Sequence, residues 1–101
     1  MIEITRRNDG ITIKGHAKYS EPGKDIVCAA ISALTETFTA SMDKLTTDQI
    51  KSDIRAGNAV IRYRNLSECG QLLVNSFFIG CQMIADSYPD HVQVTAQACK
   101  A

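Results

Sequence analysis

The stretch Gly15-His16-Ala17-Lys18-Tyr19-Ser20-Glu21-Pro22-Gly23-Lys24-Asp25-Ile26-Val27-Cys28-Ala29-Ala30-Ile31-Ser32 is where the hydrophobic period of the chain changes. Before it, Ile2, Ile4, Ile11 and Ile13 alternate with polar Glu3, Thr5, Thr12 and Lys14. That two-residue period belongs to half-buried strands. After it, Val27, Ile31, Leu34, Phe38, Met42 and Leu45 recur every three or four residues, which gathers them on one face of a helix that should pack on the sheet. Asp25 suits the N-cap, and the helix is predicted over about 26 to 43. Pro22-Gly23 is turn chemistry, so residues 17–24 form a loop between strand and helix.

Working outward, Asn8-Asp9-Gly10 joins the first two strands as a hairpin, because these residues tolerate positive φ. The strands span roughly 2–7 and 10–15. A second hairpin follows, near 49–55 and 58–64, where Ile50, Ser52 and Ile54 alternate with charged residues and Gly57-Asn58 turns the chain. Ser67 caps a second helix that runs to about Tyr88 and ends before Pro89. On it Leu66, Cys69, Leu73, Phe77, Gly80, Cys81 and Ile84 share a face, while Leu72, Ile79 and Met83 form a further apolar strip. That strip is either part of a wide buried face or a contact with a second copy. Val92, Val94 and Ala96 alternate with His91, Gln93 and Thr95 as a last strand. The order is ββαββαβ. The fold class is α+β, two-layer, a small mainly antiparallel sheet covered on one side by two helices, with residues 1–101 as one domain.

Composition narrows the function classes. Of 101 residues, 45% are hydrophobic and 22% charged, the balance of a globular fold with a modest core. Eleven basic residues offset eleven acidic ones and no basic stripe appears along the chain, which speaks against direct nucleic-acid binding. Apolar runs are too short to cross a bilayer, and Met1–Arg7 lacks a signal-peptide layout, so a cytoplasmic location with no membrane partner is expected. Cysteines 28, 69, 81 and 99 form no CxxC pair and read as free thiols.

The chemistry concentrates on His16 and Cys28. A histidine ending a strand and a cysteine in the first turn of the next helix can meet across the loop as a thiol nucleophile and its base. A helix N-terminus favours a thiolate, and its N–H groups are candidates to hold an oxyanion. Asp25 caps the helix, orients His16, or does both. Ser32, one turn beyond Cys28, bonds within the site or back to a helix carbonyl. Loop 17–24 is either a connector or a mobile cover. Cys28, Ser32, Thr35 and Thr39 form a stripe flanking the apolar face. Cys69 and Cys81 read as small core hydrophobes, Cys99 as incidental and His91 as a surface residue. No metal-ligand spacing, phosphate loop or Ser-His-Asp signature is present. A histidine and a cysteine twelve residues apart are by themselves more often structural than catalytic.

Gly15-His16-Ala17, a loop with Gly23, and Asp25-Ile26-Val27-Cys28-Ala29-Ala30-Ile31-Ser32 together resemble the signature of the ribosomal-processing cysteine protease family, Prp. Length and element order fit as well. The resemblance implies a small bacterial endopeptidase that trims the N-terminal extension of the large-subunit ribosomal protein numbered twenty-seven. By position it makes Cys28 the nucleophile and His16 the general acid/base, with Gly15, Asp25 and Ser32 in support. It also implies a homodimer, a loop 17–24 that moves with substrate, and no cofactor. The rival readings are a non-catalytic ribosome-associated binding module and a thiol redox or acyl-carrying protein. The lack of a resolving cysteine near Cys28 in sequence argues against redox work.

Overall fold

Residues 1–96 are described by the structure, a computed structural model; Cys99 lies outside them. The elements follow in the order β1 (Ile2–Arg7), β2 (Gly10–Lys14), α1 (Ile26–Leu45), β3 (Ile50–Arg55), β4 (Asn58–Tyr63), α2 (Glu68–Ser87) and β5 (Val92–Ala96). The strands form one sheet in the order β3-β4-β2-β1-β5. Every pairing is antiparallel except β1 with β5, which is parallel. The predicted α+β architecture is therefore present, with element ends shifted by a residue or two.

Register explains why one side of the sheet is buried. Ile4 lies opposite Ile13, and Ile13 opposite Ala59. Ile11 lies opposite Ile61, and Ile2 beside Val92. All point to the side covered by α1 and α2, and Ile4, Ile11, Ile61, Val27, Met42 and Cys81 are the largest fully buried side chains. Burying each aliphatic side chain contributes about 1.5–3 kcal/mol. The alternate residues Glu3, Thr5, Arg7, Thr12, Lys14 and Arg62 face away from the helices.

The helices lie against each other as well as on the sheet. A Cβ at Gly80 would press on the side chain of Leu34, so this glycine sets a close approach of α2 to α1. Thr35 is the buried polar residue of the core, and its hydroxyl donates to the carbonyl of Ile31 at 2.8 Å. The start of α2 is gripped by Asp48, which accepts from the Ser67 hydroxyl at 2.7 Å and from the Ser67 N–H at 3.1 Å.

Three expectations about the apolar faces are corrected. Cys69 is exposed rather than buried, because Gly70 turns inward against Asp48 and leads a buried stripe of Val74, Phe77, Phe78, Cys81 and Ala85. Leu45, at the last residue of α1, is 68% exposed instead of packed on the sheet. His91 is half-buried and makes contacts that strand alternation does not reveal. The strip Leu72, Ile79 and Met83 is open, at 68%, 64% and 64% exposure.

Candidate active site

Asp25 organises the junction between the loop and α1. Its Oδ1 accepts from the N–H groups of Val27 and Cys28, each at 3.0 Å. Its Oδ2 accepts from Tyr19 at 3.0 Å and Ser20 at 3.3 Å, drawing the loop back onto the helix start. These donors, Cys28 foremost, hold the carboxyl below the usual carboxylate range, partly opposed by desolvation. Of the two roles left open for Asp25, the structure shows the cap: its partners are backbone N–H groups and do not include His16.

This arrangement narrows another expectation to the N–H of Ile26, the first residue of α1. The other first-turn N–H groups proposed for an oxyanion are already used. Val27 and Cys28 donate to the Asp25 side chain, and Ala29 donates to the Asp25 carbonyl at 3.1 Å. The donor aimed at the sulfur comes from outside the helix: the N–H of Ala17 points at Cys28 Sγ from 3.4 Å.

His16 is held by backbone geometry. Gly15 has φ +94°, and a Cβ there would collide with the Met1 carbonyl. The Gly15 N–H donates to the Gly57 carbonyl at 2.9 Å, tying the end of β2 to the β3–β4 turn. The imidazole then lies against the bare Cα of Gly57, where a Cβ would fall on Nε2. His16 is exposed, and its ring has no hydrogen-bond partner among the described residues.

Gly15, His16, Cys28 and Ser32 line one groove of about 270 Å³, with Ile54 and Gly57 on its far wall. The predicted residues thus meet around one space, Asp25 standing behind it. Ser32 is exposed and makes no hydrogen bond among the described residues. Thr35 and Thr39 of the same stripe bond back to helix carbonyls instead. Neither Cys69 nor Cys81 lines the groove. Burial pushes the Cys81 thiol up to about 12, which makes it inert as a nucleophile. Among the described residues no cluster of side chains suited to a metal ion is found.

Sequence reading missed His91. Its Nδ1 lies 2.8 Å from the carbonyl of Ala17, the residue between His16 and the loop. The carbonyl can only accept, so Nδ1 carries the hydrogen. Tyr19 packs edge-on against both Tyr88 and His91, with ring centroids 5.3 Å apart in each case. The start of the loop is therefore latched to the segment between α2 and β5. Tyr19 precedes Tyr88 by 69 positions and His91 by 72, so their meeting leaves no local signal.

A family model described as cysteine protease Prp matches residues 1–93. By class the chain is a cysteine protease. It belongs to the Prp family of ribosomal-processing cysteine proteases. The Prp of Mycoplasma genitalium is 31% identical over 100 residues, covering 97% of this chain and 98% of its own. That of Staphylococcus aureus is 27% identical, covering 92% and 94%. The fold matches the crystal structure of an essential ribosomal processing protease Prp from S. aureus with a covalently linked product peptide. That match has a TM-score of 0.86 at 23% identity and covers 95% of this chain and 97% of that one.

Proposed function

We propose that the chain is a cytoplasmic, single-domain endopeptidase. On this reading it removes the N-terminal extension of the bacterial large-subunit ribosomal protein numbered twenty-seven by Cys28/His16 acyl transfer. The observation that carries the reading is the shared groove: Cys28 takes the Ala17 N–H on its sulfur at one wall while His16 stands open at another. Crystal structures of the S. aureus Prp are complexes with a substrate peptide in one case and a covalently linked product peptide in another, which fits a groove open to an extended segment.

In the first step the Cys28 thiolate attacks the scissile carbonyl carbon. A C–S bond forms, the C–N bond breaks, and His16 gives its proton to the departing amine. Water, losing a proton to His16, then cleaves the thioester and releases the new carboxylate with the thiol restored. Gly15 and Gly57 hold the imidazole, Asp25 holds the helix start and loop, and Ser32 lies free to meet substrate. The test is cleavage of a fluorogenic peptide bearing the ribosomal extension by wild type, Cys28→Ala and His16→Ala. Cleavage by wild type alone supports the pair; intact peptide with folded wild type favours the binding-module alternative.

The exposed strip Leu72, Ile79 and Met83, of which Met83 lines a hollow of about 430 Å³ between α1 and α2, suits a homodimer contact. Ile79→Glu should turn a dimer into a monomer by light scattering.

A further inference from the structure

The sheet gathers cations that the sequence disperses. On the face turned away from both helices, Lys51, Arg62, Gly10 and Arg7 stand in register across β3, β4, β2 and β1. At about 4.8 Å between strands the row is about 14 Å long. Gly10 carries no side chain and leaves a gap between the two arginines. Lys51, Arg62 and Arg7 are exposed, as is Arg64 just beyond β4. None is in an ion pair among the described residues, where the pairs are Lys24–Glu21 and Arg55–Asp53. Lys51 directly opposite Arg62 is a like-charge cross-strand pair, which costs stability, and Asp53, two residues on along the same face of β3, is held by Arg55.

Round the sheet edge from Arg7, on the helix side, lies a hollow of about 670 Å³ that includes Arg6, Arg7, Tyr63, Arg64, Gln71 and Asn75 in its lining. Arg6 is pre-positioned there, donating to Asn75 Oδ1 at 2.6 Å with its guanidinium 5.0 Å from the Phe78 ring centre. Arginine forks suit phosphate oxygens. The middle of the face offers Thr5, Thr12 and Thr95 beside Asp53 and half-buried Val60, too little apolar surface to anchor in a bilayer. Gly15 and His16 lie beyond the other end of β2, so a ligand on this row leaves the groove open.

We infer that this row and hollow bind the phosphate backbone of RNA, independently of base sequence, while the groove remains free for peptide. The inference departs from the expectation set by zero net charge, because charge counted along the chain does not report charge gathered on one face.

The test is fluorescence anisotropy with a labelled poly(U) strand of about 20 nucleotides, titrated at several salt concentrations. The Arg7→Gln/Lys51→Gln/Arg62→Gln variant is compared with wild type and with the control Lys44→Gln. The row variant should bind at least about tenfold more weakly, with a salt slope shallower by about 2, as three lost contacts on a single strand imply. The control should bind like wild type, and all three proteins should cleave the same peptide at the same rate. Single Lys51→Gln, which removes a repulsion, provides a folded variant if the triple change unfolds, and it too should bind more weakly. Absence of RNA binding by wild type overturns the inference. So does equal loss in the control, or capture by phosphatidylserine vesicles without capture of RNA.

Discussion

The N–H of Ala17 points at the sulfur of Cys28 from 3.4 Å, across eleven residues of chain. It is the one backbone donor seen on the thiol, and it belongs to the peptide unit that follows His16. A shift of that unit therefore moves both members of the proposed pair. His91 holds the next peptide unit, through the Ala17 carbonyl.

Loss of either reacting group should be severe. Cys28→Ala should abolish peptide cleavage. His16→Ala should lower kcat/KM by about 10²–10⁴-fold, the usual contribution of a general acid/base. Steady-state cleavage assays on variants with wild-type circular dichroism check both.

The glycine behind the imidazole should be as sensitive as the imidazole itself. Gly57→Ala adds a Cβ on His16 Nε2 at a residue whose φ is +74°. Displacing a catalytic group by an ångström is enough to cost about 10²-fold in rate. The expected result is a loss in kcat of that order, measured beside a thermal melt that separates it from unfolding.

Asp25 links stability to acid. Its carboxyl is held below its ordinary value when folded, so it contributes stability that is present above the unfolded carboxylate pKa. That stability is lost as pH falls through the lower folded value. Wild type should therefore lose Tm on acidification below about pH 4. Asp25→Ala should start with a lower Tm at neutral pH and lose less on acidification. Melting curves against pH read the difference.

Thiol labelling should sort the cysteines by environment. Iodoacetamide should modify Cys28 and exposed Cys69 and spare Cys81, whose thiol is buried and pushed up to about 12. Added substrate peptide should protect Cys28 alone. Peptide mass spectrometry gives the pattern directly.

His91 should act on the loop more than on the chemistry. His91→Ala removes the donor to Ala17 and a ring packed on Tyr19. Amide exchange in residues 17–24 should rise while the core strands stay protected. Unchanged exchange would mean that the Asp25 contacts to Tyr19 and Ser20 hold the loop by themselves.

Local signals wrote most of this fold into the sequence. Asn8-Asp9-Gly10 and Gly57-Asn58 marked the hairpins, and Asp25 and Ser67 marked both helix starts. The junction from Gly15 to Ser32 was legible because strand, loop and helix are consecutive there. The rotation of α2 was not. A helix with apolar residues on several sides leaves its buried stripe undecided, and Asp48, 22 residues upstream of Gly70, settles it. The Gly57 wall and the His91 latch also depend on tertiary register, to which hydrophobic period is blind. The same holds for the cationic row, since Arg7 and Arg62 become neighbours only when β4 joins β2.

The parallel pairing of β1 with β5 has a consequence for timing. The first strand and the last described strand lie side by side, and His91, one residue before β5, is the group that steadies the reactive junction. A chain still emerging from the ribosome, with Cys28 and His16 already made, lacks that latch until β5 has docked. The clasp on the loop thus arrives last, as a property of the closed sheet, and until then the start of the loop is held by Asp25 alone.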